Sequence, residues 1–172
     1  MALLPIITAP DARLKQKSAP LEAVDDDARR LMDNMLETMY EAPGIGLAAI
    51  QVGVPKAIIV MDISPAGTPR APRFFINPEI VESSRETVIT EEGCLSLPDQ
   101  YADVARRTAI TVRHLDYDGT PRTLEAEGLL ATCLQHEMDH LKGILFIDYL
   151  SAVRRSIILR RLAKARRLDA TG

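Results

Sequence analysis

The order of hydrophobic patterns along the chain predicts an α+β fold. Three observations carry this. A helix-period stretch comes first, at Asp25–Glu41. β-Branched and aromatic runs divided by Pro, Gly and Asp follow between Lys56 and Thr120, and helical spacing then returns toward the C-terminus. Such an order places antiparallel strands around a central second helix, with an N-terminal helix and a basic C-terminal helix beside them. The chain has 172 residues and no internal repeat, low-complexity segment or long linker. The expectation is one domain over residues 1–172, with 151–172 as the basic helix and tail.

Each element has its own signal. In Asp25–Glu41, residues Ala28, Leu31, Met32, Met35, Leu36 and Met39 recur at the spacing of one buried helix face, so the methionines read as core. Asp25, Asp26 and Asp27 suit the positive end of that helix, and Pro43-Gly44 stops it. The runs KAIIVMDI, RFFINPEIV, ETVIT and TAITVRHLDYDGT read as strands, and Asp118-Gly119 marks a hairpin turn before PRTLEA. A second helix is expected from about Glu127 to Lys142, capped by Gly143. A third is expected from Ser151 to Leu168. Its Ile157, Ile158, Leu162 and Ala165 share one side, but Arg154 and Arg161 project into the same arc.

Composition narrows the setting. No apolar run approaches the ~18–20 residues of a membrane span, and the start, MALLPIITAP, lacks the basic region of a signal peptide. Cys94 and Cys133 are the only cysteines, which suits thiols or ligands rather than a disulfide framework, so a cytoplasmic setting is expected. The net charge of −3 is uneven: residues 151–172 carry +6, which leaves −9 for residues 1–150. The basic tail suits an acidic partner. Aromatic content of 4% without Trp argues against a base-stacking surface, so neither DNA nor an RNA-binding module is favoured.

The chemistry concentrates in CLQHEMDHLKG, Cys133–Gly143. Leu129, Cys133, His136 and His140 fall at i, i+4, i+7 and i+11, on one helix face, so two imidazoles one turn apart can reach one metal ion. Glu137 points to the adjoining side, beside the metal. Its neighbours Leu130, Leu134 and Leu141 favour a raised carboxyl pKa. A catalytic site needs a third protein ligand and an open fourth position, whereas a structural site usually has four protein ligands. Cys133 lies on the same helix, and three ligands from one straight helix make poor tetrahedral geometry. His114 sits in a strand-like run and reads as an exposed strand histidine. Cys94, in EEGCLSLP, can be presented by a rigid turn and is the preferred third ligand. Gly44 and Gly46 lack the Lys-Ser/Thr that would follow in a phosphate cradle.

Three segments together, GIGLAAIQVG (Gly44–Gly53), EGCLS (Glu92–Ser96) and QHEMDH (Gln135–His140), resemble peptide deformylase in order and spacing. The resemblance extends over nearly the whole chain. It implies Cys94, His136 and His140 as metal ligands. Fe2+ would be the native ion, and Zn2+ or Ni2+ could occupy a purified sample. It also implies a bacterial or organellar enzyme of protein biosynthesis that removes the formyl group from the N-terminal formylmethionine of nascent proteins. Divalent affinity order alone favours zinc, and a thiolate-ligated ferrous site would be oxygen-sensitive.

In that family reading, Glu137 is general base and then acid, and the Gln51 amide and the Leu95 N–H steady the oxyanion. Gly44, Ile45, Gly46 and Gly93 flank the substrate backbone, and Ile45, Leu129, Thr132 and Cys133 line the methionine pocket. Thr132 departs from the aliphatic residue common there, and Tyr101 stands where many members carry Arg. The basic C-terminal helix is expected to meet the ribosome. A zinc metallopeptidase is the competing enzyme class, but its usual third ligand is His or Glu.

Overall fold

The structure, a computed structural model, describes residues 2–171; Met1 and Gly172, the two ends of the expected domain and tail, lie outside them. The first helix, α1, spans Asp26–Glu41. Asp25 caps it by accepting from the Ala28 N–H at 2.8 Å, as the acidic run suggests.

Seven strands follow: β1 (Gly46–Ala48), β2 (Ile58–Met61), β3 (Arg73–Ser83), β4 (Thr87–Cys94), β5 (Leu97–Arg107), β6 (Ala109–Leu115) and β7 (Pro121–Glu127). Five form an antiparallel sheet in the order β1-β2-β3-β6-β7, and β4 and β5 form a separate antiparallel hairpin. The expected Asp-Gly turn joins β6 to β7, with the Asp116 carboxylate accepting from the N–H groups of Asp118 and Thr120. The helix α2 (Gly128–Leu141) comes next, and α3 (Ala152–Thr171) ends the described chain. The fold is α+β, as the order of patterns predicts.

β2 shows why the layers assemble. All four of its residues are buried because both faces of the sheet are covered. Ile58 and Val60 pack with Met32, Met35 and Met39 of α1. Ile59 and Met61, one residue out of phase, pack with Ala131, Leu134 and Met138 of α2. The sheet is therefore sandwiched between the helices, and α2 is pressed on its far side by the β4–β5 hairpin. A third cluster joins Leu97 and Val104 of β5 to Ile158 and Leu162 of α3.

Three elements depart from expectation. β5 has no clear strand signal, because its inward positions are Ala102, Val104 and Arg106, and only one of these is β-branched. Residues 46–48 read as part of a glycine loop but pair with β2. On α3, Ile158 and Leu162 are buried, whereas Ile157 stays partly exposed and Ala165 is exposed, so the apolar stripe is narrower than its spacing suggests. Among the described residues no helix is long and apolar enough to cross a membrane.

Candidate metal centre and substrate cleft

α2 carries an unusual load for a helix enclosed by other elements: Thr132, Gln135, His136, Glu137 and His140 are all buried. A buried polar group needs a partner, and several of these partners fix the helix in place. The Gln135 amide accepts from the Arg107 N–H and donates to the Arg107 carbonyl, each at 2.9 Å, which locks α2 to the end of β5. The helix stops at Gly143, whose φ of +76° is a left-handed turn that glycine takes at no steric cost.

The β4–β5 turn brings the third donor. Cys94 and Leu97 pair across it, so the turn presents the Cys94 side chain toward the end of α2. The ligand atoms of Cys94, His136 and His140 lie within 4.8 Å of one another, with Cys94 Sγ 3.4 Å from His140 Nε2. His136 Nδ1 lies 2.8 Å from Glu92 Oε1. A carboxylate there accepts a hydrogen bond from Nδ1–H, which leaves the Nε2 lone pair free to bind a metal. One thiolate and two imidazoles at this spacing fit a divalent metal.

The other two candidate ligands are elsewhere. Cys133 lines the adjoining cavity, where burial, reinforced by the Glu137 and Glu92 carboxylates, pushes its thiol up to about 12, far from the thiolate a ligand needs. His114 is half-buried rather than exposed, its ring 4.6 Å from that of Phe75 and its Nδ1 2.9 Å from the Leu115 carbonyl.

Behind His136 lies an ion network that has only a partial signal in the sequence. Arg106 grips Glu92 with two hydrogen bonds, Nε to Oε2 at 2.6 Å and Nη2 to Oε1 at 2.7 Å, and reaches Asp139 Oδ2 at 2.7 Å with Nη1. Tyr149 donates to the same Asp139 oxygen at 2.7 Å. Burial alone would raise the Glu92 pKa, but the Arg106 and His136 hydrogen bonds outweigh it and hold the carboxyl below its usual value. Burial likewise opposes the Arg106 charge, and its two carboxylate partners override that. Strand alternation places Glu92 on the same face as Cys94, two residues on, which is a readable clue. Nothing local distinguishes Arg106.

Glu137 has a different environment. Burial pushes its pKa up to about 7, against the lowering influence of His136. Its Oε1 lies 4.0 Å from His136 Nε2, and Oε2 has no hydrogen-bond partner among the described residues. The carboxyl fits only because residue 46 is glycine: a Cβ there would stand 2.8 Å from Oε1 and 3.0 Å from Cγ and Cδ.

Gln51 is buried in the short turn Ala49–Val52, with its Oε1 accepting from the Ala48 N–H at 2.9 Å. Its Nε2 donates to Ser96 Oγ at 3.0 Å and points its other proton at Cys94 Sγ, 3.5 Å away.

Two cavities open from this point. One, about 420 Å³, is walled by Ile45, Val88, Leu129, Thr132 and Cys133. The other, about 650 Å³, passes Pro43, Gly44, Leu95, Asp99 and Tyr101. Both reach His136 and Glu137 and share Ile45 and Gly93. The structure thus gathers the sequence-derived site residues Gln51, Cys94, Leu95, His136, Glu137 and His140 around one point. Gly44, Ile45, Gly46, Gly93, Leu129, Thr132 and Cys133 form the walls of the two cavities.

A His-Glu-x-x-His helix with a cysteine presented by a hairpin, open to a two-lobed cleft, defines a hydrolase. The model of the polypeptide deformylase family matches residues 3–156. A peptide deformylase of Rhizobium meliloti is 57% identical over 165 residues, covering 96% of this chain and 95% of that protein. One from Pelagibacter ubique is 56% identical over 164 residues, covering 95% of each. Among solved structures, peptide deformylase from Ehrlichia chaffeensis superposes with a TM-score of 0.94 at 42% identity, over 98% of this chain and 99% of that one. The same organism's enzyme in complex with actinonin gives a TM-score of 0.93 at 44% identity, over 97% and 99%. The chain belongs to the polypeptide deformylase family.

Proposed function

We propose that this protein removes the formyl group from the N-terminal formylmethionine of newly made proteins in the bacterial cytoplasm and releases formate. The observation that carries the reading is the Glu137 carboxyl beside the Cys94, His136 and His140 donors, where both cleft lobes meet. Cys94, His136 and His140 would hold a divalent metal, Fe2+ in this reading, which when bound would serve as a Lewis acid to polarise a carbonyl and acidify water.

The chain's own residues supply the rest. Glu137 takes the proton of the attacking water and returns it to the departing amine, serving first as base and then as acid. Gln51 Nε2 and the Leu95 N–H donate to the oxygen that becomes charged. The long Nε2 contact to Cys94 Sγ is the weaker of the two that Gln51 makes, so a carbonyl oxygen can take over that proton while Ser96 keeps the other.

The peptide lies as an added strand between β1, which ends the five-stranded sheet, and β4, which pairs only with β5. Gly44, Ile45 and Gly46 flank it on one side and Gly93 on the other. The methionine side chain enters the smaller lobe, lined by Ile45, Leu129, Thr132 and Cys133. Thr132 suits an apolar pocket because its hydroxyl bonds back to the Leu129 and Gly128 carbonyls. Tyr101, with Asp99, borders the larger lobe, which receives the residues that follow.

The test is formate release from formyl-Met-Ala-Ser by anaerobically purified protein, with metal analysis on the same sample. Turnover that tracks iron supports the reading; a full metal complement without turnover removes it. The seven cations of α3 extend the proposal to ribosome docking. Arg154, Arg160, Arg161 and Lys164 changed together to Gln should weaken ribosome binding and flatten its salt dependence. Unaltered binding across a salt series would dispose of that extension.

A further inference from the structure

The N-terminal segment lies outside the three motifs, yet its backbone is tied first to α1 and then to the site. The Ala2 N–H donates to Asn34 Oδ1 at 2.8 Å and the Leu4 N–H to Thr38 Oγ1 at 2.9 Å, fastening the strand along α1. The Ile7 N–H then donates to the Gln51 carbonyl at 2.7 Å, and the Ala9 N–H to the Ser96 carbonyl at 2.8 Å. Ile7 and Ala9 are buried with Leu97 and Val104 of the β4–β5 hairpin, and Ile6 lines the larger cleft lobe. Two consecutive outward N–H groups of one extended segment, residues 7 and 9, thus bridge two separate pieces of the site. One piece carries the Gln51 amide. The other carries Leu95 and the Ser96 hydroxyl on which that amide rests.

We infer that residues 4–9 act as a positioning strap that sets the separation between the Gln51 amide and the Leu95 N–H. This rests on the proposed oxyanion role of those two donors. The physical need is plain. The two donors come from elements that share no strand pairing, the turn Ala49–Val52 and the β4–β5 turn, and a misplacement of about 1 Å at a reacting centre can cost about 10²-fold in rate. The side-chain bond from Gln51 to Ser96 fixes one contact between them; the strap fixes their backbones. Among the described residues the strap makes no hydrogen bond to the three metal-type donors or to Glu137, so it should act on rate without acting on metal content.

The test is a double-mutant cycle between the strap and Gln51, using Ile7→Pro to remove the N–H and Ile7→Ala to remove only the side-chain packing. In otherwise intact protein, Ile7→Pro should lower kcat roughly 10- to 100-fold, with KM for the formyl peptide within about threefold and metal stoichiometry unchanged. Ile7→Ala should retain most of kcat. In a Gln51→Ala background, Ile7→Pro should cause little further loss, because the group it positions is gone.

Additive losses in the cycle or an unchanged kcat in Ile7→Pro would each overturn the strap. A fully active Gln51→Ala would instead remove the oxyanion reading on which the strap depends.

Discussion

The helices α2 and α3 are built from similar material and put to opposite use. Both mix Leu, Ala and charged or polar side chains. α2 is enclosed, and most polar residues on its buried faces are matched: Gln135 by the Arg107 backbone, His136 by Glu92, Asp139 by Arg106 and Tyr149, whereas His140 Nδ1 has no hydrogen-bond partner among the described residues. α3 lies at the surface and buries Ile158 and Leu162 in the core, with Leu159 partly buried beside them, leaving most of its cations in water. A charge on α3 costs the fold nothing. A charge on α2 survives only with a partner, and the one carboxyl left partly unmatched, Glu137, is the one with chemistry to do.

That contrast sets an order of effects. The sharpest break is Glu137→Ala, expected to lower turnover by about 10²–10⁴-fold while the metal stays bound. Metal analysis alongside formate release separates the two, and an active variant would put α2 on a par with any buried helix. Next is Gln51→Leu, which removes one oxyanion donor and should cost ~10²–10³ in kcat; a wild-type rate would confine the chemistry to α2.

Arg106→Met leaves the buried Glu92 and the partly buried Asp139 without their cation. It should destabilise the fold by about 3–5 kcal/mol in urea unfolding and weaken metal binding by about 10–100-fold through Glu92 and His136. On the other helix, Leu162→Ala should cost about 2–3 kcal/mol with turnover intact. Lys164→Ala should fall within about 0.5 kcal/mol of the parent, and a larger loss would mean that α3 is not the solvated face described above.

How much of this the sequence reveals follows the same line. Local patterning exposes α1, whose buried positions are apolar at helical spacing, β2, β3, β4 and β6, which contain runs rich in β-branched or aromatic residues, and α2, which shows through its leucines and its Gly143 stop. It also exposes the His136–His140 pair, whose four-residue spacing is itself the geometry. Cys94 is recoverable because Gly93 and Pro98 fence its turn.

β5 and the Arg106 network are not legible, because there the inward position is a guanidinium whose partners lie 14 and 33 residues away. No window of neighbouring residues records such a pairing. The N-terminal strap is hidden for another reason: its bonds use backbone N–H groups, which every residue but proline carries. The resemblance to the family supplied the roles of Gln51 and Leu95, which periodicity alone does not.

The space beneath Glu137 has a consequence for how tolerance to substitution would map along the chain. At position 46 any side chain must displace the Glu137 carboxyl, and with it the group assigned to proton transfer. At position 44 an added Cβ meets only the end of the Leu95 side chain, which can rotate. A survey of every replacement would therefore score Gly46 as intolerant as a proton-transfer residue and Gly44 as more forgiving, although neither glycine carries a reactive group. Ranking positions by intolerance would mark a gap in the packing as though it were a reagent.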